Sequence, residues 1–221
     1  METEIKLGFK DKESMFAITE ADCFSDFCLD TSKVSPVLLE NTYLDTEDRK
    51  ITSRGAMIRK RHYSGRGDDY YEFTVKYGGA VTDGLHQRYE WNVRSNTKNF
   101  RISEFKNLSS GSDDPDELLD KALDGVSDDE LKELCSNYFY RTVYTFGFGD
   151  SIMEACFDCG KIENVSGDAV EPICELELEL TSGDVVDLRE MARFLIDETG
   201  CVPFDDSKYK RTIRLLDSGN K

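Results

Sequence analysis

The stretch CELELEL, residues 174–180, sets Glu175, Glu177 and Glu179 on one face of an extended segment and Leu176, Leu178 and Leu180 on the other. Alternation of period two predicts a β-strand with one apolar and one polar face. Carboxylates two residues apart on a strand lie about 7 Å apart, and at an effective dielectric of about 20 each adjacent pair repels by roughly 2 kcal/mol. Three in succession need either bulk water or a cationic partner.

The same striping recurs along the chain. Period-two segments are predicted at 2–9, 37–45, 55–63, 70–78, 85–94, 139–147, 151–159 and 173–181, eight strands in all. One face of this set carries Glu2, Glu4, Lys6, Arg59, Arg61, Glu72, Thr74, Lys76, Arg88, Glu90, Asn92, Arg141, Glu154, Asp158 and the three glutamates. The other face carries Ile5, Leu7, Phe73, Val75, Tyr77, Tyr89, Trp91, Val93, Phe157 and the three leucines. A solvated sheet face explains any one strand. Repetition of charge, of both signs overall, from strand to strand fits an α+β fold: an eight-stranded antiparallel β-barrel with a charged lumen, its apolar exterior covered by helices. Helical spacing is predicted at 13–29, at 116–138 with a break at Gly125, and at 184–199, stopped by Gly200; residues 46–54 read as a helical turn.

Composition narrows the partners. With 45 acidic and 28 basic residues the formal charge is −17, which argues against nucleic acid or an anionic membrane as a partner of the exterior. Ten acidic and two basic residues fall within 109–134, read as a solvated helical face. No run approaches the ~18 apolar residues of a membrane span. Seven cysteines, an odd number behind no recognisable leader, lead to the expectation of a reduced, cytoplasmic protein. Cys156-Phe157-Asp158-Cys159 is a lone CxxC, and with only two histidines in the chain a structural zinc site is not expected. Buried charges cost several kcal/mol each unless paired or holding a ligand, so an enclosed charged lumen points to a binding site.

The motifs carrying this pattern resemble those of the CYTH superfamily, the triphosphate tunnel metalloenzymes. They are Glu2-x-Glu4-x-Lys6, Tyr43-Leu44-Asp45-Thr46, Arg59-x-Arg61, Thr74-Val75-Lys76, Arg88-x-Glu90, Tyr140-Arg141, Asp158, residues 171–180 (EPICELELEL) and Ser207-Lys208-Tyr209-x-Arg211. The segments GLHQR and EPICELELEL are similar to the bacterial inorganic triphosphatase branch. The resemblance implies one CYTH domain over 1–221, without the CHAD domain that often follows it. It implies Lys6, Arg59, Arg61, Lys76, Arg88, Arg141 and Lys208 as phosphate ligands, and Glu2, Glu4, Asp158, Glu175 and Glu177 as ligands of one or two Mg²⁺ or Mn²⁺ ions. Glu4, Lys6, Glu90 and Lys208 are the catalytic candidates, Glu90 orienting a cation or the attacking water, with Glu179 nearer the rim.

The implied activity is hydrolysis of inorganic tripolyphosphate to phosphate and pyrophosphate. Alternatives are ATP, another nucleoside triphosphate or thiamine triphosphate as substrate, a class-four adenylate cyclase, or a non-catalytic polyphosphate-binding module. The chemistry suits the residues: Arg offers a planar fork to phosphate oxygens, Lys a point charge, and carboxylates suit divalent ions that bridge to phosphate. No GxxxxGK[ST] loop is present, so side chains would do the cradling.

Overall fold

The computed structural model describes every residue except 33, 66, 67, 164–166, 168 and 219–221. Eight antiparallel strands form a ring: β1 (Glu2–Gly8), β2 (Val37–Asp45), β3 (Ala56–Gly65), β4 (Asp68–Thr82), β5 (Leu85–Ser95), β6 (Lys132–Phe148), β7 (Ser151–Glu163) and β8 (Val170–Ser182). The order is β5-β4-β3-β2-β6-β7-β8-β1, and β1 closes the ring by pairing β5, with Glu2 opposite Arg88 and Ile5 opposite Leu85. A two-residue strand, β9 (Val202–Pro203), adds to β1.

Alternation decides which side chains point where. The outward stripe of β1, β7 and β8 (Ile5, Leu7, Ala155, Phe157, Leu176, Leu178) packs against α1 (Lys12–Phe16), α2 (Phe24–Phe27) and α6 (Val185–Thr199) through Met15, Phe24, Phe27, Leu188, Met191 and Leu195. On the opposite wall Ile58, Phe73, Val75, Trp91 and Val93 pack against Ile51 of α3 (Lys50–Ser53), Phe105 of α4 (Ile102–Ser109) and Leu119 and Leu123 of α5 (Asp116–Leu123). Each such side chain contributes roughly 1.5–3 kcal/mol on burial, so the two outer cores supply the stability and leave the interior free for charge.

The interior is not charged throughout. Register aligns Leu39, Phe139, Gly160 and Ile173 on successive strands, and these inward apolar residues, with Ile162 and Leu215 of α7 (Lys208–Ser218), make a small third core inside the ring. Gly160 is required there, since a Cβ would lie 2.5 Å from that of Phe139.

Several expectations are corrected. The helix predicted over 13–29 is broken into α1, a 3₁₀ turn at Ala17–Glu20 and α2, because Ala21 is extended at φ −72°, ψ 144°. The helix predicted over 116–138 ends at Leu123; its second half forms a 3₁₀ turn at Asp128–Glu130 and then the start of β6. Residues 132–138 must extend to pair β2, where Cys135 opposes Tyr43 and Asn137 opposes Asn41, and ring pairing overrides local helical spacing. Helices α4 and α7 were not anticipated. Helix α6 agrees, capped by the Asp184 side chain on Val186 N–H and ended by left-handed Gly200. Among the described residues no helix is long and apolar enough to cross a membrane.

Candidate active site

The register of β6, β7, β8 and β1 stacks the inward side chains in rungs. Next to the apolar rung come Arg141, Asp158 and Glu175; then Cys156, Glu177 and Lys6; then Glu154, Glu179, Glu4 and, on β5, His86. The three glutamates of CELELEL therefore occupy three different rungs, each with its own neighbours. That is how their mutual repulsion is tolerated.

The deep rungs are a closed ion-pair network. The Lys208 ammonium lies 2.6 Å from Asp158 Oδ2 and 2.9 Å from Glu177 Oε1 and also donates to Glu175 Oε1. Arg141 donates to both oxygens of Asp158, at 2.7 and 2.6 Å, and to Glu177 Oε2. Lys6 donates to Glu177 Oε1 and lies 3.3 Å from Glu4 Oε1, while Arg211 Nη1 donates to Glu175 Oε2 at 2.9 Å. Burial opposes ionisation of Glu177, but Lys208, Lys6 and Arg141 outweigh it and hold its carboxyl well below the usual range. Burial likewise opposes the Lys6 charge, and Glu177 and Glu4 reverse the effect, raising it above an ordinary lysine.

Above this network lies a cavity of about 230 Å³. Seven cations line it, Lys6, Arg59, Arg61, Lys76, Arg88, Arg141 and Lys208, with seven carboxylates, Glu2, Glu4, Glu72, Glu90, Glu154, Glu177 and Glu179. Lys76 bridges Glu2 and Glu90, each at 2.6 Å. Burial, reinforced by Glu4 and Glu90, pushes the Glu2 carboxyl well above its usual range against the pull of Lys76, while Lys76 and Arg59 overcome burial at Glu90 and hold it down. Arg59 donates to Thr74 Oγ1 at 2.8 Å, yet its buried Nε has no acceptor among the described residues. Arg61 Nε is held by Asn41 Oδ1 at 2.8 Å. Arg88 donates to His86 Nδ1, and burial with Lys6 and Arg88 nearby lowers the imidazole to about 4, keeping it neutral.

The third of these rungs is anionic across β7, β8 and β1. Glu154 opposes Glu179, and Glu179 opposes Glu4. Like charges directly across strands destabilise a sheet. Burial, with Glu4 and Glu90 adding to it, raises the Glu179 carboxyl to about 7.

The ring thus gathers every residue the sequence singled out, with one distinction. Glu2, Glu4 and Glu177 face the cavity, whereas Asp158 and Glu175, 0% and 1% exposed, lie behind its lining. Asp158, Glu175 and Glu177 do converge, one oxygen of each within 4.8 Å of the others, and the Lys208 ammonium occupies the point where a cation would sit. Arg211, present in the Ser207-Lys208-Tyr209-x-Arg211 motif but given no role there, lies three residues beyond Lys208 and so on the same helical face, where it holds Glu175. Among the cavity walls, Met57 and Tyr63 were missed, while Tyr43 and Tyr209 stood in the motifs without a role. Tyr209 packs on Tyr43 at 4.9 Å and shares a hydrogen bond with Thr52 Oγ1, whose residue is tied to Asp45, linking the start of α7 to the β2 wall.

Comparison with known proteins agrees with this architecture. The chain is 30% identical over 182 residues to an inorganic triphosphatase of Haemophilus influenzae, covering 79% of this chain and 45% of that protein, so it spans less than half the length of that curated relative. A solved protein from Hippeastrum, described as a putative adenylyl cyclase with a dominant triphosphatase activity, superposes with a TM-score of 0.66 at 20% identity over 98% of this chain and 97% of its own. A putative adenylate cyclase from Bacillus halodurans superposes with a TM-score of 0.54 at 15% identity, over 96% of each chain. The fold is shared with both. The sequence matches the CYTH domain over residues 1–213, which takes in all eight ring strands and the Lys208 and Arg211 of α7; the chain belongs to the CYTH domain family.

Proposed function

We propose that the ring hydrolyses small triphosphates, with inorganic tripolyphosphate as substrate and a divalent cation, Mg²⁺ or Mn²⁺, as cofactor. The observation that carries this reading is the cavity inside the ring in which guanidinium and ammonium groups face carboxylates at matched number. A cavity of about 230 Å³ falls below the roughly 300 Å³ lower end of small-molecule pockets and suits a phosphate chain better than a nucleotide. The named activity of the Haemophilus influenzae relative points the same way.

The donor set fits a hard cation. Glu2, Glu4 and Glu179 offer carboxylate oxygens at the cavity, and the opposed Glu4–Glu179–Glu154 rung is repulsive without positive charge. We assign the metal to Glu2 and Glu4 joined by Glu179, with Glu177 at its inner edge; Asp158 and Glu175 hold Lys208 and Arg211 in place behind them. A bound divalent ion would neutralise phosphate charge and lower the pKa of a water.

The chain's own groups then do the following. Arg59, whose Nε lacks an acceptor among the described residues, and Arg61, Lys76 and Arg88 bind phosphate oxygens by charge-assisted hydrogen bonds. Lys6, Arg141 and Lys208 hold Glu177 ionised and shape the floor on which the chain rests. Glu90, fixed by Lys76, orients the attacking water in line with the terminal phosphorus. Water oxygen bonds to that phosphorus, the bridging P–O bond breaks, and pyrophosphate leaves; the loose transition state needs positioning and charge rather than a covalent intermediate.

Purified protein incubated with tripolyphosphate, ATP or thiamine triphosphate, each with Mg²⁺, Mn²⁺ or EDTA, tests this. Release of phosphate and pyrophosphate from tripolyphosphate, abolished by EDTA, is expected. No turnover of any triphosphate with either metal would overturn it.

A further inference from the structure

The Cys156–Cys159 motif does not act as a unit. On a strand its first and fourth residues face opposite sides. Cys156 is buried in the ring interior opposite Glu177, while Cys159 sits on the outer wall, half-buried at the edge of the first outer core. The neighbour of Cys159 comes from β8: Cys159 and Cys174 are direct register partners, and both are free and half-buried. Opposed residues of an antiparallel pair have Cα atoms about 4.5 or 5.5 Å apart, and disulfides span roughly 4.4–6.8 Å between Cα atoms, so the Cα spacing of directly opposed residues suits a bridge.

We propose that Cys159 and Cys174 are a redox modification site, a cross-strand dithiol that closes to a disulfide by exchange with a low-molecular-weight disulfide. One thiolate attacks the reagent and releases a first small thiol; the second attacks the protein sulfur of the mixed disulfide and releases another. Two electrons pass from the protein to the reagent, and the two protons leave on the released thiols. Asp11 and Glu13 set negative charge close to Cys174. The same carboxylates disfavour an anionic reagent over a neutral one.

The site has a direct connection to the interior. The adjacent rung is Asp158 opposite Glu175, the two carboxylates that grip Lys208. Cross-linking the outer face one residue away fixes the spacing of those strands. This effect on Lys208 rests on the function proposed above; the closure itself does not.

The test treats the full chain with hydroxyethyl disulfide and, in parallel, with oxidised glutathione. Two of the seven thiols should be lost, and non-reducing digestion should yield one cross-linked peptide pair joining Cys159 to Cys174, released by dithiothreitol and formed faster with the neutral reagent. Cys159→Ser and Cys174→Ser should each stop at a mixed disulfide on the remaining thiol. Separate mixed disulfides on both wild-type thiols, a cross-link elsewhere, or no thiol loss would overturn the proposal. Slower triphosphate turnover in the cross-linked protein, restored on reduction, supports the connection to Lys208, and unchanged turnover overturns it. A protein with no turnover before treatment counts against the proposed function, while the peptide map still decides the dithiol.

Discussion

The Lys208 ammonium stands 2.6 Å from Asp158 Oδ2, although 50 positions separate the two residues and one lies on a helix, the other on a strand. This contact ties the C-terminal helix into the ring interior. Lys208 also reaches Glu175 and Glu177, so removing it leaves three buried carboxylates short of positive charge. Lys208→Ala should cost about 3–5 kcal/mol, a fall in Tm on the order of 10 °C for a chain of this size, and Lys208→Arg should recover part of it. Thermal unfolding without metal measures this, and an unchanged Tm would mean that α7 does not hold the interior.

Arg59 and Arg141 should behave differently although both line the cavity. Arg59 makes one hydrogen bond to Thr74, lies 3.6 Å from Glu72 Oε1 and leaves its Nε without an acceptor among the described residues, whereas Arg141 is bound to both Asp158 and Glu177. Arg59→Ala should shift Tm little and raise KM roughly tenfold or more, the equivalent of a charge-assisted hydrogen bond of about 1.5–3 kcal/mol. Arg141→Ala should lower both Tm and turnover. Steady-state kinetics beside melting curves separates the two; matching behaviour would refute the distinction.

Glu177→Gln tests the balance of forces inside CELELEL. Repulsion from a neighbouring carboxylate two residues away is worth roughly 2 kcal/mol and would favour the substitution. Against it, Lys6, Lys208 and Arg141 all bond to this carboxylate, and leaving buried cations unpaired costs about 3–5 kcal/mol. The cations win, so the variant should melt below the parent even without metal. The repulsion seen in the sequence alone points the opposite way, and a calorimetric scan of the metal-free proteins decides between them.

Glu179 gives the pH dependence. Its carboxyl rises from 4.5 to about 7 on folding, so between those values the folded chain binds the proton that the unfolded chain has released. Stability without metal should therefore be greatest below about pH 4.5, as far as this group is concerned, and fall as pH rises to about 7, by at most about 3 kcal/mol. The upward shift at Glu2 acts in the same sense. Glu179→Gln should flatten the decline, and Mg²⁺ or Mn²⁺ should restore stability at neutral pH in the parent more than in the variant. A decline of equal slope in both proteins would rule Glu179 out as its source.

Much of this protein is legible in one dimension because alternation is a local property. Leu176, Leu178 and Leu180 against Glu175, Glu177 and Glu179 already separate wall from interior, and the Asp184 cap and Gly200 stop already bound α6. Other features depend on residues far apart in the chain. Residues 132–138 have helical spacing but form strand because β2 offers an edge to pair with, despite a register shift between Tyr43 and Leu44. Helix α7 escapes hydrophobic periodicity because its buried face is Lys208, Arg211 and Thr212, polar groups satisfied there by the carboxylates of β7 and β8 and, for Thr212, by Asn137 of β6. The rungs are likewise set by long-range register: Glu4 meets Glu179 while Lys6 meets Glu177. Sequence by itself determined which residues carry charge and which face of each strand they share; only the tertiary structure decided which charges meet, because pairing depends on distances across strands that no local pattern encodes.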